Sequence, residues 1–265
     1  MSAPVETAPT RPISAGGARS AMRALAALVA CEAKMVARDT AGLIVPLGMP
    51  LLIMVMSASG AADQVVAEGR TAFDLFVLPV VVTIVMAMIG IVNLPSFLAT
   101  YRRTGVLRRL GVTPVSPALV LVAQAIVAVV QAAAGIGLAM LVAMAALGSE
   151  PPAHPLVWLG VAALAMAAMC ALGMIVAAVA PTPNSAVAIG LVGFLGLGAM
   201  GGMFGGVQAL PEPLQEVAPL LPFGASVEAL GAATAGVPAD GISIIALGAT
   251  IAVGAVVASL LFRWE

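Results

Sequence analysis

The chain carries too little charge to be a soluble domain. Only 9% of its 265 residues are charged, 62% are hydrophobic, and the mean hydropathy is +1.15. With this composition a water-soluble fold could not cover its surface with polar groups. The alternating ten-residue pattern of a membrane β-barrel is also absent. We therefore predict an all-α membrane protein, because backbone groups in lipid must pair within a helix.

Residues that perform chemistry are equally scarce. The single histidine, His154, lies in a short turn, and the two cysteines, Cys31 and Cys170, form no CxxC motif. No HExxH motif, Ser/His/Asp arrangement or Walker loop occurs. We therefore expect no catalytic residue, metal site or cofactor, and no enzymatic activity in the chain itself. Aromatic residues do not alternate with the basic ones, which argues against a nucleic-acid partner.

Six long apolar runs predict six membrane-spanning helices. The runs are Ala41–Ala62, Leu75–Thr100, Ala118–Leu147, Leu156–Ala180, Ser185–Gly206 and Gly241–Phe262. Each has the roughly 20 residues needed to cross a bilayer, and none contains Asp, Glu, Lys or Arg. Residues 41–265 are therefore expected to form one transmembrane domain. Trp158 and Trp264 lie at the ends of runs, where tryptophan anchors helices at the membrane interface.

The basic residues predict the orientation. Ten of the eleven lie before the first run, between the second and third runs, or in the tail, and only Arg70 falls elsewhere. With six spans these three regions lie on one side of the membrane. The excess of positive charge predicts that this side is cytoplasmic, so that both termini lie inside the cell. We expect a multi-pass protein of the cell (plasma or inner) membrane.

The region before the first run divides into a tail and a helix. Residues 1–16, rich in Pro, Ala, Ser and Thr, are expected to be disordered. Residues 17–40 follow a helical period, which predicts an interfacial amphipathic helix that contacts membrane lipid. Its apolar face comprises Met22, Leu25, Val29 and Val36, and its basic face Arg19, Arg23, Lys34 and Arg38. The alternative is a solvated basic segment that only fixes the topology.

The connection between the second and third runs holds four arginines and no acid. Residues 102–110 predict a short amphipathic helix, which Gly111 would end before Pro114 and Pro117. Residue patterns alone leave two readings open. The arginines either fix the topology or form a handle for a cytoplasmic partner.

Three further features concern helix contacts. Gly198, Gly202 and Gly206 are spaced four apart, which predicts one face that packs against another helix. Residues 207–240 are too polar to span and too apolar for a free loop, so we expect short helices that enter the outer leaflet. Gln124 and Gln131 lie on one face of the third run, where they hydrogen-bond a neighbouring helix or line a pathway.

Two segments resemble the ATP-binding cassette (ABC) type-2 exporter permeases. Just after the second span, that family has a Gly followed by Leu, a basic residue, Leu and then Thr-Pro-Val. The matching residues are Gly105, Leu107, Arg109, Leu110, Thr113, Pro114 and Val115. The family's outer re-entrant segment has Leu-Pro before a Pro and then a Glu, which match Leu210, Pro211, Pro222 and Glu228. The family often has acidic residues before the glycine, where this chain has Tyr101 and Arg103.

The resemblance implies the transmembrane permease subunit of an ABC exporter. A separate cytoplasmic ATPase would contact a coupling segment that comprises Arg102, Arg103, Gly105, Leu107, Arg108, Arg109, Leu110, Thr113 and Pro114. Two permease subunits, identical or different, would pair around the route of a hydrophobic substrate such as a drug, an antibiotic or a lipid. The alternatives are an ion-gradient-driven secondary transporter and a scaffold that recruits a cytoplasmic protein. The lack of charge in the runs argues against the secondary transporter.

Overall fold

The computed structural model describes residues 16–61, 65–67, 70–105 and 118–261. Within these ranges, six helices are long and apolar enough to cross a membrane. They are span 1 (Thr40–Ala61), span 2 (Phe73–Arg103), span 3 (Ala118–Leu147), span 4 (Pro155–Val179), span 5 (Pro183–Met200) and span 6 (Gly241–Leu261). The predicted all-α class with six spans is confirmed. A small antiparallel hairpin, Val65–Ala67 with Arg70–Thr71, precedes span 2.

Span 2 is the most buried of the six spans and supplies much of the core. Its helix contains two wide π-turns, Phe73–Val77 and Met88–Asn93, and the α-helix after each one has proline as its second residue. Proline has no N–H, so the regular i→i−4 pattern is interrupted at these places. Span 2 also begins two residues earlier than predicted and includes Asp74. The expectation that no span holds a charged residue is therefore wrong.

Packing contacts and hydrogen bonds identify which segments meet at each end of the bundle. At the arginine end, where span 2 finishes, Ala99 packs against the end of span 4 and the start of span 5. At the opposite end, the Ser149 hydroxyl donates to the Asp74 carboxylate and so joins the connection after span 3 to span 2. Also at that end, Arg70 donates to the carbonyl oxygen of Pro151 at 3.1 Å.

The amino-terminal helix, Gly16–Arg38, packs along span 3 and beside span 1. The next residue is Asp39. Its carboxylate accepts a hydrogen bond of 3.0 Å from the Gly42 N–H and so caps span 1. Of the predicted basic face, Arg23, Lys34 and Arg38 are exposed. The predicted apolar face is only partly correct, because Met22 is 70% exposed. The Arg19 side chain and the expected tail lie outside what the structure describes.

Between spans 5 and 6 the chain forms a bent segment of two helices, Glu212–Val217 and Pro222–Ala235. The helical stretches Glu212–Leu220 and Pro222–Ala235 meet at 79°. The second helix buries Phe223 and Leu230 and packs against spans 2, 4 and 6. The predicted short helices are present, and their depth in the membrane stays a prediction. Pro211 directly precedes the first helix, and Pro222 begins the second.

Candidate coupling end and apolar groove

Span 2 ends two residues before the first glycine of the predicted coupling segment. The helix finishes at Arg103, and Gly105 has a φ of +68°, a left-handed conformation that glycine adopts without strain. The Gly105 N–H donates to the Arg102 carbonyl oxygen at 3.2 Å. The other predicted coupling residues, Leu107, Arg108, Arg109, Leu110, Thr113 and Pro114, lie outside the described residues, as does Gly111.

The two described arginines of this segment have different surroundings. The Arg102 guanidinium is partly buried and donates to the carbonyl oxygens of Ala177 and Ala180, the latter at 3.1 Å. A cation is favourable there because the last carbonyl groups of span 4 lack helical donors. Arg103 is exposed. Arg102 therefore ties span 2 to span 4, while Arg103 faces outward at the arginine end.

A buried polar cluster, Glu32–Tyr101–Gln124, lies directly beside Arg102. The Tyr101 hydroxyl and the Gln124 amide each donate to one oxygen of the Glu32 carboxyl group. The amide nitrogen of Gln124 is also 3.3 Å from the Tyr101 hydroxyl. The cluster joins the amino-terminal helix to the end of span 2 and the start of span 3. It therefore connects three elements at the place where the basic segment begins.

Burial raises the pKa of the Glu32 carboxyl above its ordinary value of 4.5, and the hydrogen bond from Tyr101 partly opposes this effect. Sequence reasoning missed Glu32, although a signal was present. Glu32 follows Leu25 and Val29 at helical spacing and so falls on the apolar face. A lone acid on the apolar face of a basic helix predicts a buried partner.

Two amide side chains satisfy a carbonyl group that a proline leaves without its helical donor. Pro46 has no N–H to offer the Gly42 carbonyl four residues earlier. Asn93 of span 2 and Gln131 of span 3 instead donate to that oxygen at 2.6 and 2.8 Å. For Gln131, and for Gln124 in the polar cluster, the structure confirms hydrogen bonding between helices.

The predicted face of three glycines is wrong. Span 5 ends at Met200, so only Gly198 lies on its helix, while Gly202 and Gly206 are in the following turn with φ values of +83° and +84°. The close helix contact lies elsewhere. A Cβ atom at Gly173 of span 4 would lie 1.9 Å from the Gly90 carbonyl oxygen in span 2. Single glycines on separate helices form no repeating pattern, so the sequence gives no local signal for this pair.

The bent segment is fastened to spans 4 and 6 by side-chain hydrogen bonds. Glu228, predicted from the re-entrant motif, accepts a hydrogen bond from the Ser243 hydroxyl at the start of span 6. The indole N–H of Trp158 donates to the Thr234 hydroxyl at 3.1 Å. Trp158 is only 6% exposed, so its expected role as an interfacial anchor is wrong. Trp264 lies outside the described part of the chain.

An apolar groove of about 600 Å³ lies between span 6, span 4, the end of span 5 and the bent segment. Of the described residues that line it, Thr250 is the one polar residue and none is aromatic. The lining consists of Leu172, Ile175, Leu197, Leu220, Pro222, Ile242, Ile245, Ala246, Ala249, Thr250 and Val253. Ile245 and Val253 are 71% and 56% exposed, so the groove opens sideways. Its volume lies in the range of small-molecule sites.

Comparison with known families gives one match that covers most of the chain. The model of a family described as ABC-2 type transporter matches residues 23–233. The chain belongs to this family. The match includes the amino-terminal helix from Arg23, spans 1 to 5, the basic segment and most of the bent segment. No curated protein matches the chain. As an ABC-2 transporter permease, the chain is a multi-pass membrane protein and not the ATPase of its transporter.

Proposed function

We propose that this permease exports a hydrophobic small molecule, such as a drug or an antibiotic, or a lipid. It sits in the cell membrane with both termini inside, and pairs with a second permease subunit, identical or not. Each subunit rests on a separate cytoplasmic ATPase through residues 102–110. ATP-driven closure of the ATPases moves this segment, and the bundle changes from inward-open to outward-open. Export of a drug by this route would give multidrug resistance.

The hydrogen bonds at the arginine end carry the proposal. Arg102 holds the end of span 4, and Tyr101 holds the amino-terminal helix through Glu32. Gln124 adds the start of span 3 to the same cluster. A displacement applied just after Arg103 therefore acts on four helices together. This arrangement supports the proposal that motion of the basic segment is passed to the bundle, in keeping with the resemblance of that segment to a coupling segment.

The apolar groove supports the substrate class. Its lining is almost entirely aliphatic, and a sugar polymer would find no aromatic face to stack on among these residues. The groove opens sideways between exposed apolar side chains, which would let an apolar molecule enter it from the bilayer. The bent segment, with Pro211, Pro222 and Glu228, is proposed to re-enter the outer leaflet and to border the exit of the route.

Replacement of Leu107 and Leu110 by Asp tests the coupling role. Two carboxylates at an apolar contact with the ATPase must be desolvated, so we expect ATP-dependent transport to fall at least about tenfold, or about 1.4 kcal/mol of coupling. The assay uses proteoliposomes that contain the permease with its co-purified ABC ATPase, and measures transport of rhodamine 6G and of a fluorescent phospholipid. The matched control, Leu107→Met with Leu110→Met, keeps the apolar surface and should retain transport.

Unchanged transport by the Asp double variant, inserted normally in the membrane, would overturn the proposed coupling. Two treatments separate the export mechanism from the alternatives. Transport that stops on ATP depletion but survives an uncoupler excludes an ion-gradient carrier. A chain that recruits a cytoplasmic protein but moves neither probe would instead be a scaffold.

A further inference from the structure

Among the described side chains of the amino-terminal helix, one buried polar group attaches the helix to the arginine end. Glu32 is 5% exposed, and its two partners, Tyr101 and Gln124, are 7% and 2% exposed. Every other described residue of the helix that faces the bundle is apolar or small, such as Val36, which is 6% exposed. Apolar packing tolerates sliding and rotation, whereas a hydrogen-bonded carboxyl group fixes one register. Glu32 therefore determines where the helix sits against span 2.

The cluster can satisfy Glu32 with or without a proton. An ionised carboxylate can accept from the Tyr101 hydroxyl and the Gln124 amide, the two donors that face it. A protonated carboxyl group can donate its hydrogen to the Tyr101 oxygen. The Tyr101 hydroxyl can then turn toward the sulfur of Met35, which lies 4.0 Å away. The hydrogen bonds therefore exist in both states, but only the ionised state places an uncompensated charge in this buried site.

No described cation forms an ion pair with Glu32. Spans 1 and 3, which pack against the helix, contain no charged residue. On span 2, Tyr101 is the titratable group that faces Glu32, while the Arg102 side chain is directed to the carbonyl groups of span 4. On the helix itself, Cys31, Lys34 and Arg38 are exposed, and Asp39 caps span 1. Among the described groups, the protonation of Glu32 is therefore governed by its burial, which the hydrogen bond from Tyr101 partly opposes.

We propose that Glu32 is a positioning residue that makes the amino-terminal helix move as one body with the coupling end of span 2. Protonation of its carboxyl group holds this attachment, and ionisation releases it. The link to transport rests on the proposed coupling function, whereas the attachment itself is a property of the permease chain. The helix would then carry motion of the coupling end to its exposed basic face at the lipid surface.

The sign of the pH dependence follows from linkage. Burial raises the pKa of Glu32 in the attached state relative to its solvated value of 4.5. The attached helix therefore binds the proton more tightly than the detached helix does. The attachment is fully stabilised below 4.5 and is lost as the pH rises through the raised value. Low pH thus favours one rigid body, and high pH favours an independent helix.

Spin-label distance measurements on the permease alone, in lipid nanodiscs, test the attachment. The labels are placed at the exposed positions Arg23 and Pro181 (Arg23→Cys, Pro181→Cys) in a Cys31→Ser, Cys170→Ala background. With Glu32 present, we expect one narrow distance population at about pH 5 and a second, broader one at about pH 9. Glu32→Gln mimics the neutral carboxyl group and should stay narrow at both pH values.

Glu32→Ala leaves the Tyr101 hydroxyl and the Gln124 amide without their partner and should give the broad population at both pH values. A distribution that is independent of pH with Glu32 present, or broad for Glu32→Gln, would overturn the proposal. If Glu32→Ala fails to fold, the contrast between Glu32 and Glu32→Gln still decides. No ATPase or substrate takes part in this experiment, so its failure is distinct from failure of the coupling function.

The transport assay gives the second readout. At about pH 9 we expect Glu32→Gln to transport several-fold faster than the chain with Glu32, and at about pH 5 the two should be equal. A merely structural role for Glu32 would change the rate equally at both pH values, and that result would overturn the positioning role. The Leu107 and Leu110 variants report on the proposed function separately.

Discussion

The contact between Gly173 and Gly90 gives the sharpest test of the packing. A Cβ atom added at Gly173 would lie 1.9 Å from the Gly90 carbonyl oxygen, and ordinary contacts begin at 3.4 Å. Spans 2 and 4 must therefore separate by about 1.5 Å at this level to admit one methyl group. Overpacking of a tight core costs about 1–3 kcal/mol. For Gly173→Ala we expect a loss of about 2 kcal/mol, or roughly 4–8 °C in apparent Tm.

Gly160→Ala is the matched control on the same helix. Nothing lies within 4 Å of a Cβ atom at Gly160, so its added methyl group meets open space. Alanine is also the better helix former, by up to about 1 kcal/mol. Thermal unfolding in detergent, followed by fluorescence-detected size exclusion, should show Gly160→Ala at or above the parent Tm. Equal Tm values for the two variants would refute the close approach of spans 2 and 4.

Two further predictions concern hydrogen bonds. Replacement of Asn93 and Gln131 by Leu leaves the partly buried Gly42 carbonyl group without these two donors and should cost about 1–3 kcal/mol. The loss should shrink in a Pro46→Ala background, where the restored N–H can serve that carbonyl, and an undiminished loss in this double-mutant cycle would contradict the pairing. Trp158→Phe removes the indole donor and should lower stability by about 0.5–1.5 kcal/mol. The same loss in a Thr234→Val background, measured by thermal unfolding, would show that the bond contributes nothing.

The positions of the spans could be predicted from the sequence because lipid imposes a local rule. A helix must cross the apolar layer with all its backbone groups paired, so a run of about 20 apolar residues suffices to locate it. Deviations occur where the end of a helix depends on backbone geometry. Span 5 stops at Met200 because the chain then turns through glycines at positive φ. Hydropathy measures only how apolar the residues are, so it does not report this change in backbone conformation.

The candidate site was less predictable because its parts are distant in the chain. Glu32 and Gln124 are 92 residues apart and meet directly, with Tyr101 hydrogen-bonded to both. Each looked ordinary alone: an acid in a basic helix, an amide in an apolar run, and a tyrosine beside arginines. The combination exists only after the helix has packed against spans 2 and 3. In the sequence, only the position of Glu32 on the apolar face indicates that this side chain has a buried partner.

Prolines explain two of the tight contacts around span 2. Each proline deprives the carbonyl group four residues earlier of its helical donor and so leaves that oxygen without its usual partner. The carbonyl four residues before Pro79 faces Gly231, where a Cβ atom would lie 2.9 Å away. The carbonyl four residues before Pro95 faces Gly190, where an added Cβ atom would lie 2.4 Å from its oxygen. Glycine lets a helix backbone approach such an oxygen directly. The prolines of span 2 therefore select glycines on its neighbours, and these two contacts fix the span against span 5 and the bent segment.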